Sequence, residues 1–335
     1  MENNQPTASF ALCRLPNETD IFVFHGKEVH GTSLDPLQNQ WSFVISPYQK
    51  TSSFISIPFS HKCTPHTIAF PAAFICKERM LDETSQDYYE GIVQAAIKSM
   101  RDSAYSKIVL ATKTNRELKD FDPYSFFKSL VNEYPTAFVY CVSSPETGTW
   151  FGASPEPLLV GNGTQFNTIA LAGTMPIENE DMEWGEKEKQ EQKLVETFIE
   201  ETLKMFSDKV SLDGPNAKKA GNLIHLATSF DFELTKGDVN DLILKLHPTP
   251  AIAGLPKEIA KEEIEKLENF SRSYYAGLLG IYAKDFVQLF VNLRCMEWHQ
   301  NTATLYAGAG ITADSDPRAE WNETRRKVNS LGKFL

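Results

Sequence analysis

The stretch FVQLFVNLRCMEWHQNTATLYAGAGIT, residues 286–312, indicates the fold class more directly than any other part of the chain. Its two apolar runs, FVQLFVNLRCMEW and TATLYAGAGIT, flank a short polar HQN turn, which is the pattern of a β-hairpin. Hairpins join antiparallel neighbours, whereas parallel strands need long crossover connections. We therefore predict an α+β fold with large, mainly antiparallel β-sheets and helices packed outside them.

The remaining segments also alternate between short strands and helices. Between Ser9 and Phe74, apolar runs broken by Pro, Gly and Asn predict strands and turns. Further strands are predicted in KIVLATKTN, TAFVYCV, TWFGASPEPLLV, TQFNTIALAGT and IHLATSFDFEL, and the polar stretch 207–222 is interpreted as a linker. Apolar residues spaced three to four apart predict helices over 82–102, 183–206, 239–246, 257–269 and a segment that begins near Ser315.

The composition argues against several classes of protein. The chain has 335 residues with 33 basic and 44 acidic side chains, and its formal charge of −11 opposes binding to nucleic acid or to an anionic membrane. It lacks the pattern of a secretion signal, and no apolar run approaches the length of a membrane span. The five cysteines form no CxxC pair, as is typical of reduced thiols. We therefore expect a cytoplasmic monomer that binds a small molecule.

The glycines near the end of the quoted stretch raise the question of which ligand they approach. Gly308, Gly310 and Ala313 match the loose dinucleotide-binding pattern G-x-G-x-x-G/A, which has meaning only within a βαβ unit. Here the preceding strand is one arm of a hairpin. The helix that follows carries Glu320 and Glu323 in its first turns, where they would repel a pyrophosphate. A dinucleotide site is therefore disfavoured.

The acidic residues of this last helix suggest a metal site, although a simpler interpretation exists. Glu320, Glu323 and Lys327 share one helix face, and such spacing is also typical of a solvent-exposed face with a Glu–Lys pair. On another predicted helix, Glu191 borders an apolar stripe, where a carboxylate is costly without a cation or a hydrogen-bond donor. Two helices that each direct a carboxylate inward suit Mg²⁺, which prefers oxygen ligands.

The chain contains, in order, the segments SKIVLAT, FGASPEPLL, ALAGTMP, KEKQEQKLV, HLATSF, LHPTPAIAGLPKEIA, YYAGLLG, LFVNLRC and LYAGAGITADSDPRAEWNETRRKV. This series resembles the chorismate-utilising enzymes, the family of isochorismate, salicylate, anthranilate and aminodeoxychorismate synthases. The resemblance covers residues 85–335, which would form a chorismate-binding catalytic region. Residues 1–84 carry little of it and are expected to form a variable, β-rich part of the same fold.

The resemblance implies a magnesium site and a substrate pocket. Mg²⁺ would be bound by Glu191 and Glu320, with Glu323 close enough to act through water. The glycines of the hairpin would bind a carboxylate of the substrate through their backbone N–H groups rather than a phosphate. The residues implied to bind chorismate are Thr174, His225, Ala251, Arg294, Tyr306, Gly308, Gly310 and Lys327.

The resemblance also implies which residues act as the base and as the acid. Family members that add water at ring carbon 2 carry a lysine at the position of Lys107, and members that use ammonia lack it. A lysine that faces a cleft can act as a general base when its surroundings favour the neutral amine. Glu156, in SPEP, matches the general acid that protonates the hydroxyl departing from carbon 4. In an unfamiliar sequence, the simpler interpretations would be an exposed strand lysine and a carboxylate in a turn.

The leading hypothesis is an isomerase, isochorismate synthase, for menaquinone or catechol siderophore synthesis. The sequence HPTPA, which includes Ala251, is typical of isochorismate synthases. Salicylate synthases share the lysine and are the alternative, followed by the amine-forming synthases and a metabolite-binding protein without activity. A water-using enzyme needs no glutaminase partner. Gln192, where the family usually has a histidine, departs from the pattern next to a proposed ligand and is expected to tune the metal site.

Overall fold

The computed structural model describes residues 8–34, 37, 40–70, 73–78, 82–102, 105–179, 183–220 and 223–335. Its first strands are β1 (Ser9–Arg14), β2 (Ile21–Gly26), β3 (Val29–Gly31), β4 (Ser42–Ser46), β5 (Phe54–Cys63), β6 (Lys107–Glu117), β7 (Phe138–Ser144), β8 (Gly148–Ser154) and β9 (Pro157–Asn162). The later strands are β10 (Gln165–Pro176), β11 (Val210–Ala220), β12 (Leu223–Glu233), β13 (Gly254–Leu255), β14 (Leu278–Ala283), β15 (Phe286–Val291), β16 (Cys295–Trp298) and β17 (Thr302–Ile311). The helices are α1 (Gln86–Asp102), α2 (Pro123–Glu133), α3 (Glu186–Phe206), α4 (Val239–Leu246), α5 (Lys257–Leu267) and α6 (Pro317–Gly332).

The strands form two large sheets that are continuous through β5. The first sheet has the order β5–β2–β1–β7–β8–β16–β17–β6–β13. The second has the order β11–β12–β10–β9–β15–β14–β4–β5–β3. Every pairing within the described residues is antiparallel, so the predicted α+β class is confirmed.

The two sheets pack face to face, and helices cover their outer faces. The ring of Phe138 on β7 stacks on that of Phe290 on β15, with centroids 4.5 Å apart, inside one core that both sheets share. A second core lies between the first sheet and helices α2 and α6, to which Phe127 and Val328 contribute. α3 packs against β10 and β12 of the second sheet. No helix of the described residues is both long and apolar enough to cross a bilayer.

The hairpin is present, but its first arm is not one strand. β16 and β17 pair as predicted, and the turn closes with a 2.8 Å hydrogen bond from the N–H of His299 to the carbonyl of Thr302. β15, however, belongs to the second sheet, so the chain changes sheets over residues 292–294. Asn292 fixes this crossing, because its amide donates to the carbonyl of Tyr274 at 2.8 Å and accepts from the hydroxyl of Tyr140 at 2.6 Å.

The structure differs from the sequence prediction at two further places. Most of the presumed linker 207–222 is strand β11, which pairs along β12, while residues 221 and 222 lie outside the described residues. Its polar composition reflects an edge position, where side chains meet water on both sides. Helix α2 has no counterpart among the predicted helices. Its signals are Asp122, whose side chain caps the N–H groups of Tyr124 and Ser125, and the proline at the first helical position.

Candidate active site

A cavity with about 720 Å³ of empty space lies where β6, β10, β12, β17, α3 and α6 come together. Most of the residues predicted to bind substrate or metal line it, although they are far apart in sequence. The remaining predicted residues, Lys107, Glu320 and Glu323, lie behind or beside its wall. The lining residues are Val109, Pro155, Glu156, Leu171, Ala172, Gly173, Thr174, Glu191, His225, Ala251, Ile252, Tyr275, Leu293, Arg294, Tyr306, Ala307, Gly308, Gly310 and Lys327.

Glu156 lies in the short connection between β8 and β9, and its side chain is almost fully buried. Backbone hydrogen bonds fix the segment, since the carbonyl of Glu156 accepts from the N–H of Val291 at 3.0 Å. Burial raises the pKa of Glu156 to about 7, against the lowering effect of Lys107, Lys327 and Lys218. A large fraction of this carboxyl group is therefore protonated near neutral pH and can donate a proton into the cavity.

Lys107, the first residue of β6, is completely buried, which excludes the simpler interpretation of an exposed strand lysine. Its Nζ lies 2.9 Å from Oε1 of Glu191, yet it makes no aligned hydrogen bond to any acceptor of the described residues. Burial would raise the pKa of Glu191, but Lys107, with help from Lys327 and Lys187, holds it below its usual value. The amine thus lies behind the cavity wall beside a carboxylate.

Gly310 allows this pair to approach the backbone of β17. A Cβ atom at this position would lie 2.4 Å from Oε1 of Glu191 and 3.3 Å from Cε of Lys107. Any side chain would therefore displace the pair. Gly310 and Gly308 both line the cavity, while the role of their N–H groups in binding a carboxylate stays a prediction.

Thr174, His225 and Arg294 form a hydrogen-bonded row along one wall. Thr174 and His225 are direct cross-strand partners on β10 and β12, and the hydroxyl of Thr174 lies 3.1 Å from Nδ1 of the imidazole. Nη2 of Arg294 lies 3.3 Å from Nε2, so Nε2 must accept and Nδ1 carries the hydrogen. Burial and the charge of Arg294 lower the pKa of His225 well below its usual value. The imidazole is therefore neutral and suited to hydrogen bonding rather than to proton transfer.

Arg294 reaches the cavity because the chain changes sheets at this point. Its backbone has φ +47°, in the left-handed region, between the end of β15 and the start of β16. Burial lowers the pKa of Arg294 to about 10, which leaves the guanidinium charged at neutral pH. A buried cation that lines a cavity suits an anionic group of a ligand.

Tyr306 and Ala251 complete the wall predicted from the sequence. The ring of Tyr306 stacks between those of Trp150 and Tyr275, with both centroid distances at 5.5 Å, and its hydroxyl donates to Glu297 at 3.4 Å. Ala251 lies in the HPTPA loop, where the N–H of Ile252 donates to the carbonyl of Thr249 at 3.1 Å. The stacking covers the faces of the Tyr306 ring and leaves its edge to line the cavity.

Each of the three carboxylates predicted to bind Mg²⁺ is paired with a different lysine. Glu191 pairs with Lys107, Glu320 on α6 pairs with Lys187 on α3, and Glu323 pairs with Lys327 at 2.7 Å. Nζ of Lys327 also donates to the carbonyl of Gly308 at 2.9 Å. No group of three metal-binding side chains is within coordinating reach among the described residues. The arrangement brings the predicted ligands to one side of the cavity and neutralises them with ammonium groups.

The chemistry of these carboxylates nevertheless fits a divalent cation. Glu320 is only 1% exposed, and burial and the nearby Glu323 raise its pKa against the opposing effect of Lys187. A buried carboxylate beside a second carboxylate needs a cation to remain charged. Hard oxygen ligands from two facing helices are the donors that Mg²⁺ prefers. These carboxylates would hold the ion if it replaced the lysines that are paired with them.

Gln192, the departure from the family pattern, holds α3 in place. Its side-chain oxygen accepts from the N–H of Ala172 at 2.9 Å, and its nitrogen donates to the carbonyl of Ala170 at 3.2 Å and the hydroxyl of Thr228 at 3.1 Å. Gln192 thereby fixes the helix that carries Glu191, which agrees with an indirect effect on the metal site.

The sequence interpretation missed Lys218, because it treated β11 as a linker. Lys218 is the cross-strand partner of His225. It also lines a side cavity with about 360 Å³ of empty space, which shares Pro155, Leu171 and Arg294 with the main cavity. Burial lowers the pKa of Lys218, and Glu156 opposes this shift. The polar edge strand therefore contributes a cation near the acid, which only its pairing with β12 could have indicated.

Comparisons with known proteins identify the family of this chain. Residues 59–335 match the family model described as chorismate binding enzyme. Isochorismate synthase MenF of Pasteurella multocida is 31% identical over 260 residues, which cover 72% of this chain and 60% of that protein. The chain thus spans about 60% of the length of this curated relative.

Two solved structures show how widely the fold is shared. MenF, the menaquinone-specific isochorismate synthase from Escherichia coli, has a TM-score of 0.83 at 22% identity and covers 99% of this chain and 90% of its own. Anthranilate synthase component I from Streptococcus pneumoniae has a TM-score of 0.75 at 18% identity, with 99% and 93% covered. Because an anthranilate synthase component also has this fold, only the residues in the cavity can distinguish the reactions.

Proposed function

This chain belongs to the chorismate binding enzyme family, and from that premise we propose that it is an isochorismate synthase that converts chorismate to isochorismate. The observation that carries the proposal is the presence of both an acid and an amine at the cavity. Glu156 is a buried carboxyl group with a pKa of about 7, and Lys107 is a fully buried amine beside the wall residue Glu191. The reaction needs one acid and one base, and these two residues supply them.

In the proposed reaction, a water molecule attacks ring carbon 2 while the hydroxyl at carbon 4 departs. Lys107, as the general base, takes a proton from the attacking water as the new carbon–oxygen bond forms. The ring double bonds shift, the bond from carbon 4 to oxygen breaks, and Glu156 donates the proton that converts the departing hydroxyl to water. One water enters and one leaves, so the conversion is an isomerisation. Solvent then returns the proton from Lys107 to Glu156.

The other wall residues would bind and orient the dianionic substrate. Charged Arg294 and Lys327 suit its carboxylates, and neutral His225 would keep Arg294 in position through the 3.3 Å contact. The fixed ring of Tyr306 would pack against the substrate. Mg²⁺ would be held by Glu191 and Glu320, with Glu323 acting through water, and would supply positive charge for a substrate carboxylate.

The choice of water as nucleophile also bears on partners. Because ammonia is not consumed, no glutaminase subunit is needed, and we propose a cytoplasmic enzyme that acts as a monomer. Isochorismate would serve menaquinone or catechol siderophore synthesis. Salicylate synthase activity would require the further loss of pyruvate from the same product, so a product analysis separates the two functions.

The test is chromatography of the products that the purified protein forms from chorismate, with Mg²⁺ or with EDTA, and with or without ammonium. We expect isochorismate in equilibrium with chorismate, formed only with Mg²⁺ and unaffected by ammonium. Salicylate with an equal amount of pyruvate would replace the proposal by the alternative. An aminated product, or no turnover in any condition, would contradict it.

A further inference from the structure

Lys187 makes an ion pair that crosses between the two helices expected to hold the metal. It lies in the first turn of α3, and its Nζ donates to Oε1 of Glu320 in the first turn of α6. The Glu320 side chain is 2% exposed, whereas that of Lys187 is 32% exposed. The ammonium thus enters from the solvent side and ends on a buried carboxylate.

The surroundings of Lys187 are those expected for a divalent cation. Lys187 contacts Glu320 directly, Glu323 lies one turn after Glu320 on α6, and Glu191 lies one turn after Lys187 on α3. These are the three carboxylates that are proposed to bind Mg²⁺. One ammonium group therefore bridges the two helices that carry the whole ligand set.

We propose that Lys187 is an internal counter-ion that takes the place of Mg²⁺ in the metal-free protein and that Mg²⁺ must displace. The inference rests on the proposed function, because it takes the magnesium ligands from it. A lysine and a divalent cation cannot share Glu320 without strong mutual repulsion at such short range. The ion pair and the metal complex are therefore mutually exclusive states of the same site.

Lys187 can leave its carboxylate more easily than Lys107 and Lys327, the lysines that pair with Glu191 and Glu323. Lys107 is fully buried and has the role of base, and Lys327 is held by Gly308 as well as by Glu323. The partly exposed Lys187 side chain can turn into solvent by rotating its flexible stem. It would keep Glu320 neutralised until the metal arrives and lower the affinity for Mg²⁺ by competition.

The experiment is a calorimetric titration of the full chain with Mg²⁺ alone, for the wild type, Lys187→Met, Lys187→Arg and the control Lys189→Met. Lys189 is on the same helical turn, and its pair with Glu186 is exposed. We expect Lys187→Met to bind Mg²⁺ about tenfold more tightly, because the competing cation is gone. Lys187→Arg and Lys189→Met should remain within about threefold of the wild type. Equal or weaker binding by Lys187→Met, or no Mg²⁺ binding by the wild type, would overturn the inference.

Thermal unfolding supplies a second measurement that does not depend on turnover. Without metal, Lys187→Met should unfold at a lower temperature than the wild type, since Glu320 is left buried without a cation, and saturating Mg²⁺ should remove this difference. Equal melting temperatures in EDTA would contradict a counter-ion role. Formation of isochorismate by the wild type, together with an unchanged Mg²⁺ affinity in Lys187→Met, would overturn this inference alone and leave the proposed function intact.

Discussion

Two buried ion pairs lie along strand β6, and their hydrogen bonding differs sharply. In one, Arg272 donates to Glu268 at 2.9 and 2.6 Å and also to the carbonyls of Ile252 at 2.8 Å and Val109 at 2.6 Å. Glu268 in turn accepts from the N–H of Ala111 at 2.8 Å. Nearly every polar atom of this pair has a well-placed partner.

The other pair, Lys107 with Glu191, has far fewer contacts. A single 2.9 Å contact joins the two residues, and Nζ of Lys107 has no aligned acceptor within the described residues. A buried pair that is fully hydrogen-bonded holds a structure together, whereas an incompletely bonded one is poorly explained by stability. Arg272 and Glu268 thus brace β6, while the incomplete bonding of Lys107 and Glu191 supports the proposal that this pair serves the reaction.

The largest expected effect is on stability and concerns the bracing pair. Arg272→Met removes the partner of a carboxylate that is 2% exposed and should lower the free energy of unfolding by about 3–5 kcal/mol. Denaturant unfolding measures this change. The control Lys266→Met breaks an exposed pair with Glu263 and should cost less than about 1 kcal/mol. If both variants lose a similar, small amount of stability, then Arg272 and Glu268 do not brace β6. The contrast with Lys107 and Glu191 would then be wrong.

The second prediction concerns the base. Lys107→Met should lower turnover by about 10²-fold or more, because it removes the proposed base, the one amine paired with Glu191 among the described residues. Its free energy of unfolding should fall by less than that of Arg272→Met, since Glu191 faces the cavity and is near two further lysines. Steady-state kinetics and denaturant unfolding check the two parts. Turnover near that of the wild type would exclude Lys107 from the mechanism.

Many residues of the site were predictable from the sequence, but most of the ion pairs between them were not. Lining residues such as Glu156, His225 and Arg294 follow from the family motifs, whereas others, such as Tyr275 and Leu293, were not predicted. The β16–β17 hairpin follows from its turn. The sheet change at Arg294 was not predictable, because apolar strands lie on both sides of it and the three residues between them include no glycine or proline.

The pairs of Lys107 with Glu191 and of Lys187 with Glu320 were not predictable either, since sequence spacing does not reveal how α3 contacts β6 and α6. The pair of Glu323 and Lys327 follows from their spacing on one helix.

A third prediction tests the acid through its dependence on pH. Turnover should fall as the pH rises through about 7, where Glu156 loses its proton, and Glu156→Gln should lower turnover by about 10²-fold. Binding of chorismate to this variant, measured by calorimetry, should remain. If turnover stays constant from about pH 6 to about pH 9, which is about two units above the pKa of Glu156, then Glu156 is not the acid.

The smallest expected effect concerns Lys218. Its charge lowers the pKa of Glu156, so Lys218→Met should move the alkaline fall in turnover to higher pH by less than about one unit. Lys209→Met, at an exposed position just before β11 that lines neither cavity, is the control and should leave the profile unchanged. A shift to lower pH in Lys218→Met would contradict the electrostatic link between β11 and the acid.

The most direct measurement is conversion of chorismate by the purified protein in water enriched in ¹⁸O, with Mg²⁺, followed by mass spectrometry of the product. Attack by water assisted by Lys107, with departure of the original hydroxyl assisted by Glu156, predicts isochorismate with one solvent oxygen at carbon 2. Isochorismate without the label would mean that the hydroxyl migrates within the molecule, and the acid–base roles of Lys107 and Glu156 would then be wrong.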